Sequence, residues 1–153
     1  MIGTTTETAH EHDDTTARAA HALRAANALV ERALARSLEP HNLTSAQFAV
    51  LKVLGDADTL GCSEVGKRLS SPSSDVTRLL DRLESVGLVS RERDKDDRRV
   101  VYTKITGAGR AVLDAARPAV RDTEERAFQS ISASERRELA RLLSAMHRNL
   151  SDR

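Results

Sequence analysis

The stretch Cys62-Ser-Glu-Val-Gly-Lys-Arg-Leu-Ser-Ser-Pro-Ser-Ser-Asp-Val-Thr-Arg-Leu-Leu-Asp-Arg-Leu-Glu-Ser-Val-Gly87 decides the fold. Its first part, Cys62 to Leu69, reads as a short helix. Its second, Pro72 to Val86, carries Val76, Leu79, Leu80 and Leu83 at helical spacing and so has one apolar stripe. Pro72 suits a first helical turn, where its missing N–H has no intrahelical partner, and Gly87 suits the exit. Only Ser70-Ser71 separates the two helices, and so tight a connection predicts a helix-turn-helix. The stripe leaves Ser73, Ser74, Thr77, Arg78, Asp81 and Arg82 on the outer faces of the second helix.

Downstream, Leu88 to Arg93 and Val100 to Ile105 read as β segments, with the charged run Asp94-Lys-Asp-Asp-Arg-Arg99 as the tip of a hairpin. Two helices follow, Thr106 to Ser130 and Ala133 to Leu150. Ser132 and Glu135 have the spacing of a capping box, and Leu139, Leu142, Leu143, Met146 and Leu150 form a second apolar stripe. Pro118 is expected to bend or split the first of these helices, because it removes a backbone donor and crowds the preceding turn.

Upstream, Thr44 and Gln47 form a capping box, with Leu43 and Phe48 as the hydrophobic staple across it. That helix should run to about Leu54, with Gly55 in the left-handed position past its end. Before it, Leu23, Ala26, Val30, Ala33, Leu34 and Leu38 give one apolar face to a helix from about Thr16 to Leu38, ended by Pro40. At roughly 35 Å this helix is too long for a domain of this size to cover, so it is a candidate for pairing with a second subunit.

Composition bounds the function. The chain has 153 residues, 24 Lys and Arg against 23 Asp and Glu, 7 Gly, 3 Pro and one Cys. It is one domain's length, neither collagenous nor disulfide-stapled, and no run reaches the roughly 18 apolar residues of a membrane span. The acidic N-terminus lacks the order of a signal peptide, so a cytoplasmic location is expected. A net charge of +1 gives no general argument for nucleic acid, but its distribution does. The first seventeen residues hold four acids and no Lys or Arg, whereas eleven bases face eight acids between Gly61 and Arg110. No Gly-rich phosphate loop, nucleophile elbow or paired His and Cys motif supports an enzyme, and neither cofactor nor metal is expected. His10-Glu-His12-Asp-Asp14 holds metal-ligand residue types, but in a polar tail it reads as a solvated segment.

The expected architecture is mainly α with a small β-hairpin wing: a winged helix-turn-helix flanked by N- and C-terminal dimerisation helices. Residues 1–15 form a tail, 16–43 the first dimerisation helix and linker, 44–105 the DNA-binding domain, and 106–153 the C-terminal dimerisation helices. Three segments, Leu60 to Leu69, Val76 to Val89 and Asp94 to Gly109, resemble the multiple-antibiotic-resistance regulator (MarR) family. The resemblance implies a homodimeric bacterial transcription factor, usually a repressor, that releases a pseudo-palindromic operator when a small ligand or oxidant acts on it.

In such a protein Ser73, Ser74, Thr77 and Arg78 meet base edges or phosphates in the major groove, with Arg82 beside them. Arg98 and Arg99 lie by a minor groove, Asp97 orients one of them, and Arg93 and Lys95 serve phosphates. The family's ligand pockets lie between the dimer helices and the winged domain, where His41, Gln47 and Phe48 are candidates; capping for Gln47 and core packing for Phe48 are the plainer roles. Two alternatives stay open: a winged-helix module that binds a protein partner, and a redox-responsive regulator using Cys62. No second Cys exists to close an intramolecular disulfide.

Overall fold

The computed structural model describes residues 5–57, 59–70, 73–97 and 99–151; the side chains of residues 5–13 and of Ser73 are outside the description, as are Ser71, Pro72 and Arg98. In chain order the elements are α1 (Thr5–Leu38), a 3-10 turn (Glu39–His41), α2 (Ser45–Ala57), β1 (Thr59–Gly61), α3 (Cys62–Leu69), α4 (Ser73–Ser85), β2 (Val89–Arg93), β3 (Val101–Ile105), α5 (Gly107–Ala127) and α6 (Ala133–Ser151). The strands form one antiparallel sheet in the order β1-β3-β2.

The core is built where the apolar stripes meet. Val50, Leu51 and Leu54 of α2, Val65 of α3, Val76, Leu80 and Leu83 of α4, Val89 of β2 and Leu113 and Ala116 of α5 are all essentially inaccessible to solvent. Each of the large side chains stabilises the fold by about 1.5–3 kcal/mol on transfer from water, before the entropy of ordering is charged against it. Leu38, Leu43 and Phe48 close the same core from the α1 side.

The capping box at α2 is present: Gln47 N donates to Thr44 Oγ1 at 3.2 Å and Thr44 N to Gln47 Oε1 at 2.9 Å. The one at α6 is present too, with Glu135 N donating to Ser132 Oγ at 3.3 Å and Ser132 N to Glu135 Oε2 at 2.7 Å. Gly87 ends α4 with φ at 75°. Its N–H reaches Glu84 O at 2.9 Å and that of Leu88 reaches Leu83 O at 2.9 Å, the paired bonds of a Schellman cap.

Four expectations need correction. Helix α1 begins at Thr5 and takes in most of the expected tail. No Gly or Pro interrupts residues 5–38, and extending a formed helix adds one bond per residue without a new nucleus. Helix α2 continues through Gly55 to Ala57, so this glycine is no cap. A Cβ there would lie 2.8 Å from Leu113 Cδ2, and its missing side chain lets α5 come close. The hairpin gains a third strand, β1, because Thr59, Leu60 and Gly61 pair with Lys104, Thr103 and Tyr102. Helix α5 runs unbroken past Pro118. The expected place of Pro72 at the start of α4 falls outside the described residues.

A small knot joins the winged part to α5. Thr106 Oγ1 donates to Gly87 O at 2.7 Å and accepts from Gly109 N at 3.0 Å, while Thr106 N donates to Leu88 O at 3.0 Å. A Cβ on Gly109 would stand 2.0 Å from Leu88 O and 2.9 Å from Ile105 Cγ1. Gly109→Ala should therefore destabilise the fold by about 1–3 kcal/mol, since the obstructing atom is backbone. Gly107→Ala, with nothing within 4 Å of the new carbon, should leave stability unchanged or slightly raised. Urea denaturation of the two variants beside the parent checks this; equal midpoints would contradict it.

Candidate nucleic-acid interface

Helix α4 is seated by its buried stripe, with Leu79 half-buried beside it. The seating turns Ser74, Thr77, Arg78 and Arg82 outward, all of them exposed. Ser70, before the helix, takes a left-handed conformation (φ 52°) that ends α3, with its N–H on Lys67 O at 3.2 Å. Thr77 Oγ1 lies 3.3 Å from Cys62 Sγ at the start of α3. Arg78 and Arg82 face away from the core. Nothing is described of the Ser73 side chain.

The wing is β2 and β3 with the loop between them. Its register runs from Val89 opposite Ile105 to Arg93 opposite Val101, which places Arg93, exposed, at the point where the strands part. Asp94 organises the loop: its Oδ1 accepts from Asp96 N at 2.8 Å and Asp97 N at 2.9 Å. Asp97 then holds Arg99 three times, accepting on Oδ1 from its backbone N at 3.0 Å and from Nε at 3.1 Å, and on Oδ2 from Nη2 at 3.4 Å. The Arg99 side chain remains 92% exposed, so it is oriented without being covered. Of the two wing arginines the described partner of Asp97 is Arg99; Arg98 lies outside the described residues. Lys95 is exposed on the same loop.

Thr77 and Arg99 line one cleft, of about 420 Å³, between α4, the start of α3 and the sheet; Cys62 and Arg91 line it too. Of the helix and wing candidates, Thr77 and Arg99 are thus brought to one cleft. Sequence reasoning misses a link between helix and wing. Arg91 on β2 reaches Asp81 with Nη2, and its Nε lies 3.4 Å from Glu84 Oε2. Pattern alone puts Asp81 on an outer face and no more; the signal that could have found the link is a pair of carboxylates one helical turn apart opposite a strand cation.

The ligand candidates do not converge. Gln47 is engaged in the α2 capping box, His41 sits half-buried in the 3-10 turn, and Phe48 is buried. Phe48 alone of the three lines a groove of about 370 Å³ between α2 and α5, with Lys52, Asp114, Arg117, Pro118 and Arg121. No group of three or more His, Cys, Asp and Glu residues suited to a metal ion exists among the described residues.

Comparison with known proteins places this geometry. Residues 43–101 match the family model described as MarR family. The regulator YkoM of Bacillus subtilis, itself called an uncharacterized HTH-type transcriptional regulator, is 34% identical over 108 residues, 71% of this chain and 70% of its own length. The chain belongs to the MarR family. A structure of mutant MarR from E. coli complexed with operator DNA is 31% identical, with a TM-score of 0.78 over 83% of this chain and 91% of that one. Bordetella bronchiseptica BpsR, whose DNA binding is regulated by 6-hydroxynicotinic acid, is 27% identical with a TM-score of 0.78 over 85% and 98% of the two chains.

This MarR-family protein is a DNA-binding transcriptional regulator, and its wing loop is held by carboxylates that must stay ionised. The backbone N–H groups of Asp97 and Asp96 hold the Asp94 carboxyl below its ordinary value of 3.8. The Arg99 guanidinium and backbone N–H do the same for Asp97. A folded-state value below the unfolded one means that the stabilisation is complete above 3.8 and disappears as pH falls through the lower folded values. NMR titration of the two carboxyl carbons should give midpoints below 3.8, with amide protection at Asp96, Asp97 and Arg99 lost over the same range. Midpoints at or above 3.8 would contradict this account.

Proposed function

We propose that the protein is a ligand-responsive repressor that binds a pseudo-palindromic operator as a homodimer in the cytoplasm. One observation carries the reading: Thr77 of the exposed face of α4 and Arg99, an arginine held ready at the wing, line one cleft. Spaced by a dimer axis, two such units suit major grooves one duplex turn, about 34 Å, apart. Ser73, Ser74, Thr77 and Arg78 take the major groove, Arg98 and Arg99 the minor groove, and Arg82, Arg93 and Lys95 the phosphates. Residues 44–105 are the DNA-binding domain in this reading, with the pairing surface supplied by 16–43 and 106–153.

The dimer is supported by surface that one copy leaves bare. Leu139, Leu142, Leu143 and Met146 run down α6 and are all exposed, and α6 has no buried residue. Leu23 and Leu29 of α1 are exposed as well. An apolar stripe of this extent marks an interface, and a second copy offers the matching one. The effector is assigned to the α2–α5 groove, where Phe48 gives an apolar wall and Lys52, Arg117 and Arg121 stand among the acids Asp114 and Glu124, with Arg117 paired to Asp56 and Asp114. No helix among the described residues is long and apolar enough to cross a membrane, and the relatives are transcriptional regulators, which leaves no support for an enzyme.

Selection from random duplexes should return a two-fold motif, and footprinting should place it in DNA flanking the protein's own gene. Against that duplex, Arg99→Ala should weaken binding by about tenfold and reduce the salt slope by about one for each phosphate charge left without its cation. Arg78→Ala should instead relax base preference at one position of each half-site, by about 1–3 kcal/mol of discrimination. A selection that enriches no motif would refute the regulator reading. Deleting α6 should yield monomers without specific binding; a tight-binding monomer in sedimentation would refute the dimer.

A further inference from the structure

We propose that Arg91 is a positioning residue for DNA readout: from β2 it grips the recognition helix through Asp81 and Glu84 and sets the angle of that helix against the wing. The proposal rests on the DNA-binding reading above, and extends it to a residue that meets no DNA.

The grip follows from helix geometry. At 3.6 residues per turn, Thr77, Asp81 and Glu84 lie on one flank of α4, between the buried stripe of Val76, Leu80 and Leu83 and the outer face of Ser74 and Arg78. A single ion pair on that flank would leave the helix free to roll about its axis. Two carboxylates one turn apart, meeting a single planar guanidinium, oppose such a roll. Arg91 is itself fixed at the middle of the ladder, where it stands opposite Thr103, a residue only 1% exposed. Strand β2 then runs on through Arg93 to the loop that carries Arg99. The strand that holds the helix is therefore the one that leads to the wing tip.

The environment of Arg91 marks it off from the DNA-facing arginines. Its side chain is 22% exposed against 92% for Arg99, and both the carboxylates it meets belong to α4. Its Nε is buried and near Glu84 but makes no hydrogen bond, so this part of the grip is an attraction of charge rather than a closed bond. The cleft of about 420 Å³ lined by Thr77, Arg91 and Arg99 opens beside the grip, so Arg91 braces two elements across a gap instead of adding to a packed seam. Specific binding needs helix and wing in place together, whereas non-specific binding needs only cations near phosphates. Loss of the grip should lower the first and spare the second.

The test uses the full-length protein, the fluorescent duplex returned by selection and a scrambled duplex of the same length, read by anisotropy across a salt series. Arg91→Gln should weaken selected-duplex binding by about tenfold, leave scrambled-duplex binding within about twofold, and keep the salt slope of the parent. Asp81→Asn should act in the same direction, and the double variant should be no weaker than the weaker single one. Arg91→Lys should fall between parent and Arg91→Gln, because an ammonium does not fork to two carboxylates. Equal weakening on both duplexes with a reduced slope would make Arg91 a phosphate-binding residue and overturn the proposal. A lowered melting temperature with unchanged selected-duplex affinity would make it a structural tie only, and overturn it equally. Should Arg91→Gln fail to fold, Asp81→Asn, at a side chain 58% exposed, decides alone. A parent that selects no motif defeats the operator reading, whereas a clear motif with unaffected variants defeats only the role of Arg91.

Discussion

The burial of Val76, Leu80 and Leu83 against α2 is the interaction on which the rest depends. It fixes which side of a thirteen-residue helix faces outward, and thereby which side chains can meet a partner. A helix this short has little stability alone, so tertiary packing of its apolar stripe is what keeps it formed. The left-handed exit at Gly87 then turns the chain directly into β2, and the wing is laid down beside the helix it serves. Core, helix and wing are therefore successive consequences of one apolar seam.

Electrostatics acts on this frame locally. A chain of net charge +1 has little net charge to draw it to a polyanion, yet Arg78, Arg82, Arg93, Lys95 and Arg99 stand exposed on the helix and the wing. The carboxylates among them divide the labour. Asp97 orders Arg99 while leaving it in solvent, so its reach toward a groove is partly prepared in advance. Asp81 and Glu84 instead engage Arg91 and withdraw it from any such role.

Elements with a local cause were readable in the sequence. The capping pairs at Thr44 and Ser132, the Gly87 exit and the two principal strands all depend on residues a few positions apart, and each is present as expected. What the sequence hid has its cause in distant parts of the chain. Gly55 has the look of a helix end, but its lack of a side chain answers to Leu113. Thr59 to Gly61 is too short to announce a strand and becomes one only because β3 offers an open edge. The same limit applied at the interface: the residue types on α4 and the wing were legible from pattern, while the link from Arg91 to Asp81 joins residues whose nearness only the folded sheet creates. The ligand candidates drew on family likeness more than on pattern, and only Phe48 of the three faces the α2–α5 groove.

The knot at Thr106 has a mechanical meaning. With Leu88 O in hydrogen bond to Thr106 N and crowded against Gly109, the exit of α4 and the first turn of α5 have no slack between them. Helix α5, 21 residues long, extends about 30 Å from this fulcrum. A sideways shift of about 3 Å at its far end therefore turns the joint by about 6°. The leverage is geometric: a displacement that is large at the far end of α5 is small at the joint, where α4 and the wing meet it.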